Sequence, residues 1–435
     1  MSSHASASTP PQSRTPIGKV VFASLIGTAV EWYDFLIYAA ASALVFNKLF
    51  FPSLDPAIGT IAAFGTYAVG FFARPLGGVI FGHFGDRVGR KAMLAATIVL
   101  MGLGTFLIGL LPTYEQIGIA APILLVLLRF VQGIGIGGEW AGAVLMVVEN
   151  APVKRRGLMG SIVQIGNPIG NLAAVGVFAL VAQLPEPEFM SWGWRVPFLV
   201  SIVLVAVGMY IRLSLHETPA FQELQKKKEV VRVPLFEILT HHRRAFFVAV
   251  GLKLSEISYA SIAGVFAISY ATQTLKMPRA TIFNGVLLAS ALALFSIPLF
   301  GWLSDKFGRK TMCYAACIFA IAFAFPFFSM LQTRDPWIVG VAIVLAITFG
   351  QMIMFGIGAS WYSELFSAKL RYSGASLGFQ LGAAISGGLT PFAAASLVAW
   401  SGGATWPVSL FLIALAMLTL VAALFAEETA GKPLK

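Results

Sequence analysis

Two carboxylates lie in the middle of a long apolar stretch near the start of the chain. Glu31 and Asp34 are three residues apart, so they share one face of a helix. A charged group at the centre of a membrane-spanning helix costs about 2.5–3.5 kcal/mol, and such groups generally face a cavity or a partner. A carboxyl group there is neutral when occluded and ionises when water or a cation reaches it, as a proton carrier must. A structural pair held by Arg129 or by the backbone is the alternative.

Arg129 and Arg74 are basic residues at similar depth in the same half of the chain. Arg129 lies about nine residues into a later apolar stretch, at a depth comparable with that of Asp34 for a rise of about 1.5 Å per residue. It is a candidate counter-ion for either carboxylate. Arg74 precedes Pro75 about ten residues from the nearest loop, too deep to reach the surface easily. It lines a cavity, braces a gate or pairs with Glu139.

Lys253 and Glu256 repeat the three-residue spacing at the matching place in the second half of the chain. A buried Lys beside cavity Arg residues would attract a carboxylate, which favours an anionic substrate. The alternative is an internal pair of Lys253 with Glu256 or with Asp34 that closes a gate. Aromatic side chains nearby could stack on a ring or donate hydroxyl groups, although most membrane aromatics are packing or interfacial anchors. The candidate substrate contacts are Tyr33, Tyr38, Arg74, Arg129, Glu139, Lys253, Glu256, Tyr259 and Trp361.

The composition requires that membrane helices position these residues. Of the 435 residues, 58% are hydrophobic and 11% are charged, whereas about a quarter of an average soluble protein is charged. A bilayer core needs about 20 apolar residues per helix. The chain contains twelve such stretches: 20–46, 57–83, 92–111, 120–148, 157–183, 195–214, 245–274, 282–303, 311–331, 336–361, 371–399 and 404–426. We therefore predict an all-α membrane protein with twelve transmembrane helices in two six-helix bundles.

The polar segments set the predicted boundaries. We expect a disordered tail over 1–18, six-helix bundles over 19–214 and 245–427, a linker over 215–244 and a second tail over 428–435. With the N-terminus inside, 22 of the 30 Lys and Arg residues lie on the cytoplasmic side, so both termini are expected there. The net charge of +11 therefore reflects the basic residues that face the cytoplasm, and we expect the chain to interact with the bilayer and not with nucleic acid.

A loop motif occurs twice. Gly82–Lys91 and Gly301–Lys310 both read G-x-x-x-D-[R/K]-x-G-R-K, and an acidic residue seven positions before an Arg also recurs in both halves. The motif Asp can accept hydrogen bonds from a facing helix N-terminus, where the dipole favours negative charge. We predict a cytoplasmic gate in which Arg90 and Arg309 pair with Glu149 and Glu364; a basic loop that only fixes topology is the alternative. The gate residues are Gly82, Asp86, Arg87, Gly89, Arg90, Glu149, Arg156, Asp305, Arg309, Glu364 and Arg371.

On these motifs the chain resembles the major facilitator superfamily over all twelve spans. Segments Gly27–Phe35, Arg74–Gly78, Arg129–Trp140 and Arg371–Gly374 are similar to the bacterial metabolite:H⁺ symporters, which import organic acids such as shikimate, α-ketoglutarate and citrate, or proline and betaine. The resemblance implies the major facilitator fold, alternating access and a bacterial inner-membrane location. It also implies that Arg129 takes part in proton transfer, so the proton-coupling candidates are Glu31, Asp34 and Arg129.

The sequence lacks the residues that other classes of function would need. The spans contain no nucleophile–base pair and no metal-ligand constellation, and Cys313 and Cys317 lie in an apolar helix, so we expect no enzyme, metal or cofactor. No P-loop occurs. We expect a monomeric proton symporter for a small carboxylate. A zwitterion carrier for proline or betaine is the alternative within transport, and a sensor or membrane-embedded enzyme is the alternative outside it.

Overall fold

The structure is a computed structural model that describes residues 16–53, 56–181, 183–213 and 234–434. All regular elements in these ranges are helices. The twelve long helices are α1 (Ile17–Leu49), α2 (Pro56–Arg87), α3 (Arg90–Leu110), α4 (Ala120–Val148), α5 (Arg156–Gln164 with Gly166–Val181), α6 (Val196–Leu213), α7 (Arg243–Ser261, extended by further turns to Thr274), α8 (Arg279–Phe307), α9 (Arg309–Gln332), α10 (Pro336–Leu365), α11 (Arg371–Trp400) and α12 (Trp406–Phe425).

The long helices form because apolar residues fill most of their positions. In the described part of the chain, eleven helices are long and apolar enough to cross a membrane, and α2 supplies the twelfth span of the fold. Phe72, Phe295, Phe392 and Leu424 are among many large apolar side chains that stay exposed. Exposed apolar faces of this extent are expected where lipid replaces water around the protein. The prediction of an all-α membrane protein is confirmed.

The two halves repeat one packing scheme. In the first half α2 packs on α4, α1 on α5 and α3 on α6; in the second half α8 packs on α10, α7 on α11 and α9 on α12. A π-helical turn widens α1 at Ser42–Phe46 and α7 at Ile262–Phe266, so even this irregularity is repeated. Such turns are rare and mark places where a helix is locally loosened.

The halves meet where α2 packs on α11 and α5 packs on α8. Glycines make these contacts close: a Cβ atom on Gly82 would lie 2.7 Å from the Cα of Ser373, and one on Gly157 would lie 2.4 Å from the Gly301 carbonyl oxygen. Both contacts lie at the ends of the helices that carry the repeated loop motif. We call this end of the molecule the loop-motif side, and the halves are packed together there.

The structure refines the expected boundaries. Helix α1 begins at Ile17, so the last two residues of the expected N-terminal tail are helical, while residues 1–15 lie outside the described ranges. Residues 214–233 of the expected linker also lie outside them, and its end forms the helix Pro234–His241. The C-terminal residues 427–434 are described and contact the loop-motif side.

Candidate functional site

A chain of hydrogen bonds joins Asp34 to Arg129 inside the first half. The Arg129 guanidinium donates to Gln132 Oε1 (2.5 Å), Gln132 Nε2 donates to Thr105 Oγ1 (2.5 Å), and Thr105 Oγ1 donates to Asp34 Oδ2 (3.0 Å). All four side chains are completely buried. Helices α1, α3 and α4 position them, and each bond points its proton toward the carboxylate. The structure therefore brings the predicted carboxylate and its predicted basic partner into one network.

Arg129 and Arg74 lie over aromatic rings. The Arg129 guanidinium is 4.2 Å from the ring centroid of Tyr38, and the Arg74 guanidinium is 4.7 Å from that of Phe35 and 4.6 Å from that of Phe71. Cation–π contacts of this kind are stronger in a desolvated site than at a surface. Both cations are thus fixed near α1, where Glu31 is also buried.

The two tyrosines of α1 have hydrogen-bond partners within their own half. Tyr33 donates its hydroxyl to the Pro197 carbonyl (2.8 Å) on α6, and Tyr38 donates to Thr66 Oγ1 (2.6 Å) on α2. Both rings are buried. They hold the bundle together in this conformation, and a contact with substrate would require these bonds to open.

The second half holds a matching charged pair. Lys253 Nζ bonds to the Glu256 carboxylate on the same helix, and each side chain is 1% exposed. Lys253 Nζ also lies 3.6 Å from the ring centroid of Phe379 on α11 and 5.6 Å from that of Phe355 on α10. A buried charge is tolerated when it is paired, so the internal Lys253–Glu256 pair, one of the two expected arrangements, is the one present.

Arg74 of the first half and Lys253 of the second lie within electrostatic range of each other across the interface of the halves. Arg74, from α2, acts electrostatically on Lys253, from α7. Beside them the Trp140 indole of α4 stacks on Phe379 of α11, with ring centroids 3.7 Å apart and an angle of 19°. Gln164 accepts from the Trp140 indole N–H at 3.0 Å. Two cations and an aromatic stack therefore lie together where both halves contribute.

Three predicted substrate contacts have other partners in this conformation. Tyr259 donates its hydroxyl to the Ala320 carbonyl, and Glu139 accepts from Thr97 Oγ1 at 2.7 Å. Trp361 donates its indole N–H to the Glu427 carbonyl at 3.3 Å, on the loop-motif side. Trp361 thus lies away from the central charges, and we leave it out of the proposed substrate site.

Asp86 connects the halves on the loop-motif side. Its carboxylate accepts from the backbone N–H groups of Tyr372 (3.2 Å) and Ser373 (2.9 Å) at the start of α11. Arg90 lies 3.5 Å from Asp86 and 3.6 Å from Glu149. A carboxylate at a helix N-terminus is stabilised by free N–H groups and by the helix dipole, so this contact favours the closed arrangement.

Asp305 makes the equivalent contact from the second half. It accepts from the backbone N–H groups of Gly157 (2.8 Å) and Leu158 (2.9 Å) at the start of α5, and it pairs with Arg309 at 2.9 Å. Arg309 also donates to Glu364 (3.2 Å). Both copies of the repeated motif therefore have the carboxylate–helix contact and the Arg–Glu pair expected from the sequence.

One cross-contact breaks the symmetry. Arg371 of the second half donates to Glu149 of the first at 2.9 Å. Its counterpart Arg156 instead donates to the Lys432 carbonyl (2.8 Å). The C-terminal tail therefore contacts Arg156, whereas the first half itself contacts the equivalent Arg371. Thr429 of the tail also donates its hydroxyl to Glu364 (2.5 Å).

Glu428 fixes the tail to the start of α9. Its carboxylate accepts from the backbone N–H groups of Arg309 (3.0 Å), Lys310, Thr429 and Ala430 (2.9 Å each). Burial opposes ionisation of this carboxyl, but the four N–H donors outweigh burial and lower the pKa of Glu428 below its ordinary value. The sequence did not indicate this contact; the only signal was a pair of carboxylates directly after the last apolar stretch.

The remaining motif residues shape the backbone. Gly89 and Gly308 both have positive φ values, 127° and 95°, where the motif turns from one helix into the next. Such values are strained for residues with a Cβ atom. Arg87 lies at the end of α2, where it contacts His83 at 3.0 Å. The two glycines explain why the motif needs Gly at that position.

No group of three or more His, Cys, Asp or Glu residues that could hold a metal ion occurs within the residues the structure describes. Cys313 and Cys317 are buried and free. Sequence reasoning missed Thr105 and Gln132, which link the predicted charges. Gln132 stands three residues after Arg129 in one of the segments that carry the family resemblance, and this i, i+3 spacing was the available signal.

Comparisons with known proteins agree with this geometry. Residues 26–387 match the sequence profile of the Major Facilitator Superfamily. The chain is 42% identical to the shikimate transporter of Escherichia coli K12 over 94% of both chains. It is 42% identical to the inner membrane metabolite transport protein YhjE of the same organism over 96% of both.

Another relative is named for a different class of substrate. The chain is 36% identical to the proline/betaine transporter of Salmonella typhimurium, covering 96% of this chain and 85% of that one. Among solved structures, the proton:xylose symporter XylE has a TM-score of 0.75 at 15% identity, covering 96% of this chain and 97% of that one. At this identity the likeness shows the fold alone.

Proposed function

The chain belongs to the Major Facilitator Superfamily and is a multi-pass transporter of the bacterial inner membrane; on this premise we propose that it is a proton symporter for a small organic acid. The observation that carries the proposal is the placement of a buried carboxylate, Asp34, in a network with Arg129, close to two further cations at the interface of the halves. The proposal has three parts, which concern the proton, the substrate and the gate.

Asp34 is the proposed proton carrier. It is completely buried, and within the described residues its Oδ1 atom has no hydrogen-bond partner, while Oδ2 accepts from Thr105. A carboxylate with an unused buried oxygen is costly when ionised and gains from binding a proton. Arg129 acts on it electrostatically and stabilises the ionised form. Glu31, one helical turn away, is the second candidate.

The proposed substrate site is lined by Arg74 and Lys253, with Arg129 beside Arg74 at the Phe35 ring. An incoming carboxylate placed there would gain from both cations in a site of low polarity, where electrostatic interactions are strong. The aromatic rings beside these cations are already paired in this conformation, since Trp140 stacks on Phe379 and Arg129 lies over Tyr38, so a substrate ring would replace one of these contacts. The relatives named for shikimate and for metabolites support an organic acid.

The loop-motif side is the proposed gate. The Asp86 and Asp305 contacts hold the halves together there and must break when the carrier opens toward that side. The excess of Lys and Arg on this side supports its placement in the cytoplasm, with both termini. Binding of substrate and proton together would then permit the halves to rock about the central site.

Uptake of radiolabelled shikimate into proteoliposomes with an imposed pH gradient tests the proposal. We expect accumulation that collapses with the gradient in the wild type and no gradient-driven accumulation in Asp34→Asn. Asp335→Asn, which changes an exposed helix cap far from the central charges, is the control. Accumulation that ignores the gradient in the wild type would refute coupling.

A zwitterion carrier is the second candidate, because a relative at 36% identity is named for proline and betaine. The Phe379 ring holds the Lys253 ammonium group at 3.6 Å, and aromatic faces of this kind can bind a quaternary ammonium group. Competition separates the two candidates. If betaine is accumulated and excess shikimate leaves its uptake unchanged, the organic-acid proposal is wrong.

A further inference from the structure

Thr105 stands at a branch point in the buried network. Its single hydroxyl proton has two acceptors at equal distance, Asp34 Oδ2 at 3.0 Å and the Met101 carbonyl of its own helix at 3.0 Å. A hydroxyl group has one proton to donate and two lone pairs with which to accept. Thr105 can therefore donate to only one of these acceptors at a time, while it accepts from Gln132.

The direction of the bonds decides which acceptor is used. When Asp34 is ionised, every donor in the series Arg129, Gln132, Thr105 points toward the carboxylate, and bonds arranged in this way polarise and strengthen one another. When a proton binds to Asp34, the carboxyl becomes a donor. The Thr105 hydroxyl then turns to the Met101 carbonyl, and the series loses its terminal negative charge.

We propose that Thr105 and Gln132 form a relay that reports the protonation of Asp34 to Arg129, so that Arg129 engages a substrate carboxylate only after the proton has bound. The inference rests on the proposed function. Thr105 and Gln132 are positioning residues, since they act through Arg129 and Asp34. Protonation weakens the bond that holds the guanidinium on Gln132, and the guanidinium becomes available to an anion.

Several titratable and charged groups surround Asp34. Arg129 faces it from α4, Arg74 of α2 lies over the neighbouring Phe35 ring, and Tyr33 is next to it on α1. Glu31 is the other acidic residue on its helix face. Residues 157–181 of α5 and 196–211 of α6 contain no charged side chain. Arg129 acts on Asp34 directly through its charge, and the relay adds a hydrogen-bonded path between the same two groups, which the Thr105 variants interrupt without removing either charge.

The test measures the KM of shikimate uptake as a function of pH. In the wild type we expect KM to fall about tenfold from about pH 9 to about pH 7, the equivalent of one charge-assisted hydrogen bond. Thr105→Val should flatten this dependence to less than about twofold, and Thr105→Ser, which keeps the hydroxyl, should restore it. Thr28→Val is the matched control, because within the described ranges the buried Thr28 hydroxyl bonds only the Ser24 carbonyl of its own helix.

The outcomes separate this inference from the proposed function. A wild-type pH dependence of KM in Thr105→Val, together with its loss in Asp34→Asn, would overturn the relay and leave proton coupling intact. Gradient-driven accumulation that survives in Asp34→Asn would overturn both. If Thr105→Val does not fold, Gln132→Met breaks the same relay at its other bond and must flatten the dependence equally.

Discussion

Replacing Asp305 by Asn should open the loop-motif side. The carboxylate accepts from two backbone N–H groups of α5 at 2.8 and 2.9 Å and pairs with Arg309 at 2.9 Å. Asn keeps one acceptor oxygen, but its amide N–H₂ group faces the other backbone N–H. The substitution therefore removes one hydrogen bond to a charged group, worth about 1.5–3 kcal/mol, and a helix-dipole interaction of about 0.3–1 kcal/mol.

A net loss of about 2 kcal/mol corresponds to a shift of about 30-fold in the equilibrium between the closed and open arrangements. Spin labels on Val88→Cys and Phe307→Cys report this equilibrium, because both residues are exposed, one in each copy of the loop motif. Cys313 and Cys317 are replaced by Ala in all variants, so that only these two positions carry labels. Pulsed electron resonance should show a population with longer distances between the two labels, and this population should be larger in Asp305→Asn than in the wild type.

Asp86→Asn is the matched variant, since Asp86 makes the same contact with α11 from the other half. We expect a shift of the same sign. Asp335→Asn, which changes the exposed N-cap of α10 at the other end of the second half, is the control and should leave the distances unchanged. Identical distance distributions in the wild type and both Asp variants would refute the reasoning that these carboxylates hold the halves together.

Three further predictions concern stability and substrate. The pKa of Glu428 is lowered in the folded protein, so the stability that this carboxylate contributes is present above the unfolded value of about 4.3 and is lost as the pH falls through the folded value. Glu428→Gln should therefore reduce the free energy of unfolding by about 1 kcal/mol at neutral pH, as measured by thermal unfolding. In strong acid the same substitution should leave the free energy of unfolding unchanged. Gly137→Ala should destabilise the protein by about 1–3 kcal/mol in the same assay, since the new Cβ would lie 2.1 Å from the Arg74 carbonyl oxygen, whereas Gly176→Ala, with nothing within 4 Å, should be neutral. Lys253→Gln combined with Glu256→Gln should raise the KM for shikimate at least about tenfold, and an unchanged KM would remove Lys253 from the substrate site.

The fold could be predicted because membrane helices are set by local composition. A span needs only a run of apolar residues of the right length, and the loop motif with its repeat implied two related halves. The contacts of Asp86 and Asp305 could also be predicted, since a carboxylate beside a helix start has few other favourable partners.

The details of the site could not be predicted in the same way. Trp361 was expected near the substrate because of its residue type, but it lies four residues before the end of α10 at Leu365, and this depth along the helix puts it at the loop-motif side. The proximity of Arg74 to Lys253 depends on how the two halves pack, which no local pattern encodes. Thr105 has an ordinary apolar neighbourhood in the sequence, and only the structure shows its carboxylate partner.

The most direct test of proton-coupled organic-acid transport is the proton flux itself. Proteoliposomes with a pH-sensitive dye in their lumen receive external shikimate in the absence of any imposed gradient. The wild type should acidify the lumen as substrate enters with protons, and Asp34→Asn should not. Shikimate entry without any change in luminal pH in the wild type would contradict the account.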